Sequence, residues 1–127
     1  MSYVSKYFDE SELQCHCGCG RCTVTRPLLD GLDRLREALG GPLYLSCAYR
    51  CPEHNASVGG VSNSQHTQGT AADMLRPDYL SFDEFAWYVK EYSGADGIGL
   101  YPSSDFIHMD FRSNGSEPGT YNWDEND

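Results

Sequence analysis

The chain has 127 residues, 19 acidic against 9 basic, for a formal net charge of -10. That balance argues against nucleic acid as a partner, because affinity for phosphates comes largely from Lys and Arg. It argues equally against adhesion to anionic membranes, and its plain consequence is solubility. No stretch approaches the roughly 20 apolar residues that span a bilayer, and Met1–Glu10 lacks the apolar core of a signal peptide. The length suits one domain, 1–127, with one hydrophobic core, and a monomer is expected.

In chain order, residues 1–24 form a cysteine- and glycine-rich segment, with a helical turn allowed after Asp9. It carries Cys15-His16-Cys17-Gly18-Cys19-Gly20-Arg21-Cys22, four of the six cysteines; the others are Cys47 and Cys51. Such thiols form disulfides in an exported protein, and stay free or bind metal in the cytosol; redox chemistry is a further reading. A zinc ribbon is not indicated, since Cys19 and Cys22 make only one Cys-x-x-Cys pair. Thr25 is a suitable N-cap and Pro27 falls in the first turn, where its missing N–H costs nothing. Leu28, Leu32, Leu35 and Leu39 then mark one face of an amphipathic helix, ended by Gly40-Gly41.

Pro42–Tyr49 reads as a buried strand, and residues 50–70 as a turn-rich loop, long enough to suggest a functional one. Ala71–Leu75 is short and apolar around Asp73, as in a central strand. Ser81-Phe82-Asp83-Glu84 is a capping box opening a helix to about Tyr92, with Phe82, Phe85, Val89 and Tyr92 on its buried side. Gly97–Tyr101 and Phe106–Arg112 read as a hairpin joined by Pro102–Asp105. Alternation puts Phe106, His108, Asp110 and Arg112 on one face and Ile107, Met109 and Phe111 on the core face. The tail, 113–127, is acidic and reads as irregular, with Tyr121 and Trp123 able to pin it down.

The chemistry concentrates in His66, Asp73 and His108. Two imidazoles and one carboxylate suit a borderline-soft divalent metal, above all zinc. Three protein ligands leave a fourth position open, as catalytic sites do. Asp73 sits in an apolar strand, where an unpaired carboxylate is expensive; a metal removes that cost. Ser64, His66, Gly69, Ala71 and Asp73 spell Ser-x-His-x-x-Gly-x-Ala-x-Asp. In this pattern Gly69 and the alanines let a loop histidine and a strand aspartate converge.

Together with Arg50 and the Asp105–His108 motif, this pattern resembles the M15 zinc peptidases that cut murein peptides. They include D-alanyl-D-alanine carboxypeptidases, vancomycin-resistance D,D-dipeptidases and phage L-alanyl-D-glutamate endopeptidases. The resemblance runs from about Phe8 to Arg112 and takes in Tyr49-Arg50-Cys51-Pro52-Glu53-His54-Asn55. It implies the α+β fold shared with the hedgehog signalling domain, a small antiparallel sheet with helices packed on it. By position it implies His66, Asp73 and His108 as the zinc ligands. Asp105 would be the catalytic carboxylate that moves a proton from water to the leaving amine, which requires it to lie in the turn. Arg50 would steady the substrate carbonyl or carboxylate. Asp110 would hold a ligand imidazole or pair with Arg112. Ser64 would support its loop, and His16 and His54 would lie outside the metal shell.

The expected function is hydrolysis of an amide bond in the stem peptide of peptidoglycan, as a carboxypeptidase or an endopeptidase. Action on the cell wall would need another export route or a phage or prophage source; otherwise the chain is expected in the cytoplasm. One alternative is a non-catalytic zinc-binding module of the same fold. Another gives the cysteine cluster the main metal and makes the chain a partner-binding domain.

Overall fold

The structure, a computed structural model, describes residues 5–15, 17, 19, 22–59, 65–112 and 121–124. A short helix α1 (Glu10–Leu13) leads to the long helix α2 (Arg26–Leu39). Thr25 stands at the N-cap of α2, yet its hydroxyl does not cap the helix; it donates to the Gly69 carbonyl at 3.2 Å. At the other end Gly40 adopts φ 70°, the left-handed conformation in which glycine ends a helix without strain. Leu28, Leu32 and Leu35 are fully buried, and Leu39 is partly buried against the same cluster. Truncating one of the buried leucines to alanine is expected to cost about 2–5 kcal/mol.

The expected strand at 42–49 contracts to β1 (Leu45–Cys47). Part of the expected loop, Pro52–Ser57, is instead a helix, α3. Pro52 takes the first helical position, and the Cys51 thiol caps the turn by accepting the His54 N–H. A cysteine in the role usually held by Ser, Thr, Asp or Asn explains why the pattern did not announce a helix. β2 (Ala71–Leu75) and α4 (Phe82–Tyr92) follow, and the Ser81–Glu84 capping box is fully formed. Phe85 and Val89 are buried as expected, but Tyr92 is exposed and stacks on Tyr88.

β3 (Gly97–Tyr101) and β4 (Phe106–Asp110) form the hairpin through a 3-10 turn at Pro102–Ser104. The sheet order is β1-β2-β4-β3-β5, antiparallel among the first four strands. Part of the acidic tail is regular: Tyr121–Asp124 forms β5, parallel to β3 at the sheet edge. Ala72, Met74, Ile98, Ile107 and Met109 point to one face and join the leucines of α2 and Phe85 and Val89 of α4 in one core. The opposite face carries the polar residues of β2 and β4, so the site is built on a rigid sheet backed by helices.

Candidate metal centre

Strand register lines up one row of residues across all five strands. Cys47 pairs with Asp73, Asp73 with His108, His108 with Gly99, and Gly99 with Trp123. Direct cross-strand partners share a face, so the side chains of this row converge. The His66 loop descends onto it. The loop is shaped at Gly69, whose φ is 75° and whose missing side chain admits Thr23: a Cβ there would lie 2.0 Å from the Thr23 carbonyl. The Gly69 carbonyl accepts the Thr25 N–H at 2.9 Å, and the His66 carbonyl accepts the Arg50 N–H at 3.2 Å.

The Asp73 Oδ1 atom lies between two rings, 3.3 Å from His66 Nε2 and 2.9 Å from His108 Nδ1. Each ring commits its other nitrogen elsewhere. His66 Nδ1 faces the Ala48 carbonyl at 2.8 Å. A carbonyl only accepts, so Nδ1 carries the proton and Nε2 is the nitrogen turned to Asp73. His108 Nε2 faces Asp110 Oδ2 at 2.8 Å, and Asp110 is itself gripped by Arg112, Nε to Oδ1 at 2.8 Å and Nη2 to Oδ2 at 2.7 Å. An outer acceptor that fixes the tautomer of a histidine is the usual support of a metal ligand.

Electrostatics agree with the geometry. Burial works against charging His66, but Asp73 and the adjacent Cys47 outweigh it and raise its pKa to about 10. Burial opposes charge on His108 too, and Asp110 and Asp73 raise it nonetheless. Burial alone would lift the Asp73 carboxyl; the two rings hold it well below the ordinary carboxylate range. Asp110 is fully buried, which would raise its pKa, yet Arg112 and His108 bring it to about 2. The cluster therefore favours positive charge between its groups. His66 Nε2, Asp73 and His108 Nδ1 suit a divalent metal in donor type, and both ring nitrogens approach Asp73 Oδ1.

Two neighbours went unforeseen as parts of this site. Cys47 lies with its Sγ 3.6 Å from His66 Nδ1, and with His66 and Asp73 it forms a group of three ligating atoms within 4.8 Å of one another. Trp123 lies over the other end of the row, its ring 5.2 Å from that of His108, and donates from Nε1 to the Tyr101 hydroxyl at 2.8 Å. Glycine makes that approach feasible, since a Cβ on Gly99 would lie 2.4 Å from the indole. The one available signal was the Gly97-x-Gly99 alternation, two bare positions on the face that carries His108. Arg50 reaches the rim of the site, with Nη2 3.6 Å from Cys47 Sγ and Nη1 bonded to Asn55 Oδ1 at 2.8 Å.

The protein-family model described as Peptidase M15 matches residues 6–110. The chain belongs to the Peptidase M15 family. Its members are metal-dependent peptidases, in keeping with the candidate ligand groups found here. A search of curated proteins finds no match to the chain.

In this M15 peptidase chain one expected residue stands apart. Asp105 lies in the turn, as its expected role requires, and its side chain turns to Arg76. It adopts φ 60° and is exposed, and its carboxylate is held by Arg76, Nε to Oδ1 at 2.8 Å and Nη2 to Oδ2 at 3.0 Å. Asp105 stands at the end of the strand that carries His108, and the contacts of its carboxylate are to Arg76. Ser64 and His16 lie outside the described residues. His54 lies on α3, outside the row.

Proposed function

We propose that this M15 family member is a zinc metallopeptidase that hydrolyses an amide bond in bacterial cell-wall peptides, by carboxypeptidase or endopeptidase cleavage. One observation carries the reading: each histidine spends one ring nitrogen on an outer acceptor and turns the other toward Asp73. That arrangement serves a metal better than it serves a plain hydrogen-bond network, which would have no need to fix both tautomers. Zinc held by His66, Asp73 and His108 supplies Lewis-acid polarisation of a carbonyl and makes water acidic enough to react near neutral pH.

The remaining work falls to the chain. Arg50, steadied by Asn55 beside the row, offers a guanidinium to the oxyanion of a tetrahedral intermediate or to a terminal carboxylate. Asp110 and Arg112 keep His108 in orientation. Trp123, Tyr101 and Phe106 form an aromatic shelf next to His108, the last two stacked at 4.6 Å, against which the aliphatic parts of a stem peptide can lie.

The second reading, a non-catalytic zinc-binding module, draws support from Asp105, whose carboxylate is taken up by Arg76. Digestion of purified murein by wild type, His66→Ala and Arg50→Ala, with mass spectrometry of the products, separates the two. Product masses name the bond cut. Stoichiometric zinc without any product from wild type would establish the binding module instead.

A further inference from the structure

The catalytic reading leaves the cysteines unused, and the fold gathers four of them. Cys15 and Cys51 are buried, Cys17 and Cys19 exposed, and their four Sγ atoms all lie within 4.8 Å of one another. Cys15 Sγ is 3.4 Å from Cys17 Sγ, which is 3.6 Å from Cys51 Sγ. A tetrahedral zinc with Zn–S bonds of about 2.3 Å sets its sulfurs about 3.8 Å apart. The thiols therefore already stand at the spacing that one shared ion imposes. A disulfide would instead single out pairs at about 2.05 Å, well inside the 3.4 and 3.6 Å spacings of Cys15–Cys17 and Cys17–Cys51. Backbone donors point at the sulfurs, the Cys51 N–H at Cys15 Sγ (3.3 Å) and the His54 N–H at Cys51 Sγ (3.4 Å). Such bonds favour thiolates, the form that binds metal.

We propose that Cys15, Cys17, Cys19 and Cys51 form a closed tetrathiolate zinc site, separate from the His66–Asp73–His108 centre, that ties the N-terminal segment to the turn carrying Arg50. Four sulfurs fill a tetrahedral shell and leave no open position, so the site is structural. Its place in the chain gives the purpose. Cys51 follows Arg50 directly and caps α3, the helix whose Asn55 holds the Arg50 guanidinium. A metal there fixes both ends of that arrangement to Cys15, Cys17 and Cys19.

The test is metal content and spectroscopy on reduced protein. Zinc is measured by mass spectrometry in wild type, His66→Ala and the double variant Cys17→Ser/Cys19→Ser, with circular dichroism as a check of folding. About two zinc ions per chain are expected in wild type and about one in each variant. The double variant Cys47→Ser/His66→Ala is then loaded with cobalt, where an intense thiolate-to-cobalt charge-transfer band is expected. This arm keeps Cys15, Cys17, Cys19 and Cys51 and removes the thiol beside the other centre, so it reads the thiolate site even if the Cys17→Ser/Cys19→Ser variant fails to fold and even if the chain proves to have no peptidase activity. Absence of that band would overturn the proposal. So would iron in place of zinc on the thiols, or alkylation and mass spectrometry showing the four cysteines paired as disulfides.

Discussion

Two clusters of ligating side chains meet at the ends of one short stretch, Cys47–Cys51, and their surroundings are opposite in kind. At the first end Cys47 stands beside His66, and the Ala48 carbonyl accepts from the ring of His66. At the second end Cys51 joins Cys15 and Cys17. Between them the Tyr49 N–H donates to the Leu13 carbonyl and the Arg50 N–H to the His66 carbonyl. Imidazole ligands must shed one proton site onto an acceptor, and the histidines are ringed by acceptors, Ala48 O and Asp110. Thiolates carry charge outward and need donors, and the cysteines are met by backbone N–H groups. The polarity of the outer contacts thus separates a mixed nitrogen and oxygen centre, suited to reaction, from an all-sulfur centre, suited to holding chain together.

The contrast is broken or sharpened by substitutions that act on one end at a time. The largest effect is expected from His66→Ala, which should lower peptide hydrolysis on the order of 10³-fold, the several kcal/mol a metal contributes to charge stabilisation. Zinc analysis should show loss of one ion while the cobalt–thiolate band persists. Next comes Arg50→Ala: roughly 10²-fold in kcat/KM with zinc content unchanged. Steady-state kinetics on a purified stem peptide checks it. A concurrent loss of zinc would show that Arg50 supports ligands rather than substrate. Asp110→Asn comes third. It weakens the hold on His108 without removing a ligand, and competition with a chelator should show zinc affinity reduced about 10–100-fold.

The sequence exposed most of this architecture because its signals are local. The leucine stripe of α2, the capping box at Ser81 and the alternation in β4 each follow from neighbours a few residues apart. Asp73, flanked by apolar residues in β2, was legible as a carboxylate needing a partner. The Ala48 carbonyl was not, since its contact with His66 depends on how a loop 18 residues later falls across β1. Nor was Trp123, which reaches His108 only because β5 adds beside β3 and Gly99 is bare. The grouping of Cys51 with Cys15, Cys17 and Cys19 is likewise a tertiary fact, invisible in spacings of 2, 2 and 32 residues.

The smallest effect belongs to the residue that spacing favoured most. Asp105 precedes His108 by three positions, and a proton carrier is wanted near the metal. The ladder of β2 with β4 nevertheless aligns Leu75 with Phe106 and Asp73 with His108, which leaves Asp105 beyond the strand end beside Arg76. Asp105→Asn separates motif from geometry. Asparagine tolerates the left-handed backbone at φ 60° nearly as well as aspartate, so the turn should survive while the charge that pairs with Arg76 is lost. The Arg76 guanidinium draws the Asp105 carboxyl below its ordinary pKa. The pair therefore forms at pH values where free carboxylates already ionise, and any stability it lends should fade only as pH falls through that lowered value. At neutral pH the expected outcome is a folded protein with the zinc content and turnover of wild type. A loss of turnover approaching that of His66→Ala, with zinc retained, would place Asp105 in the catalytic role.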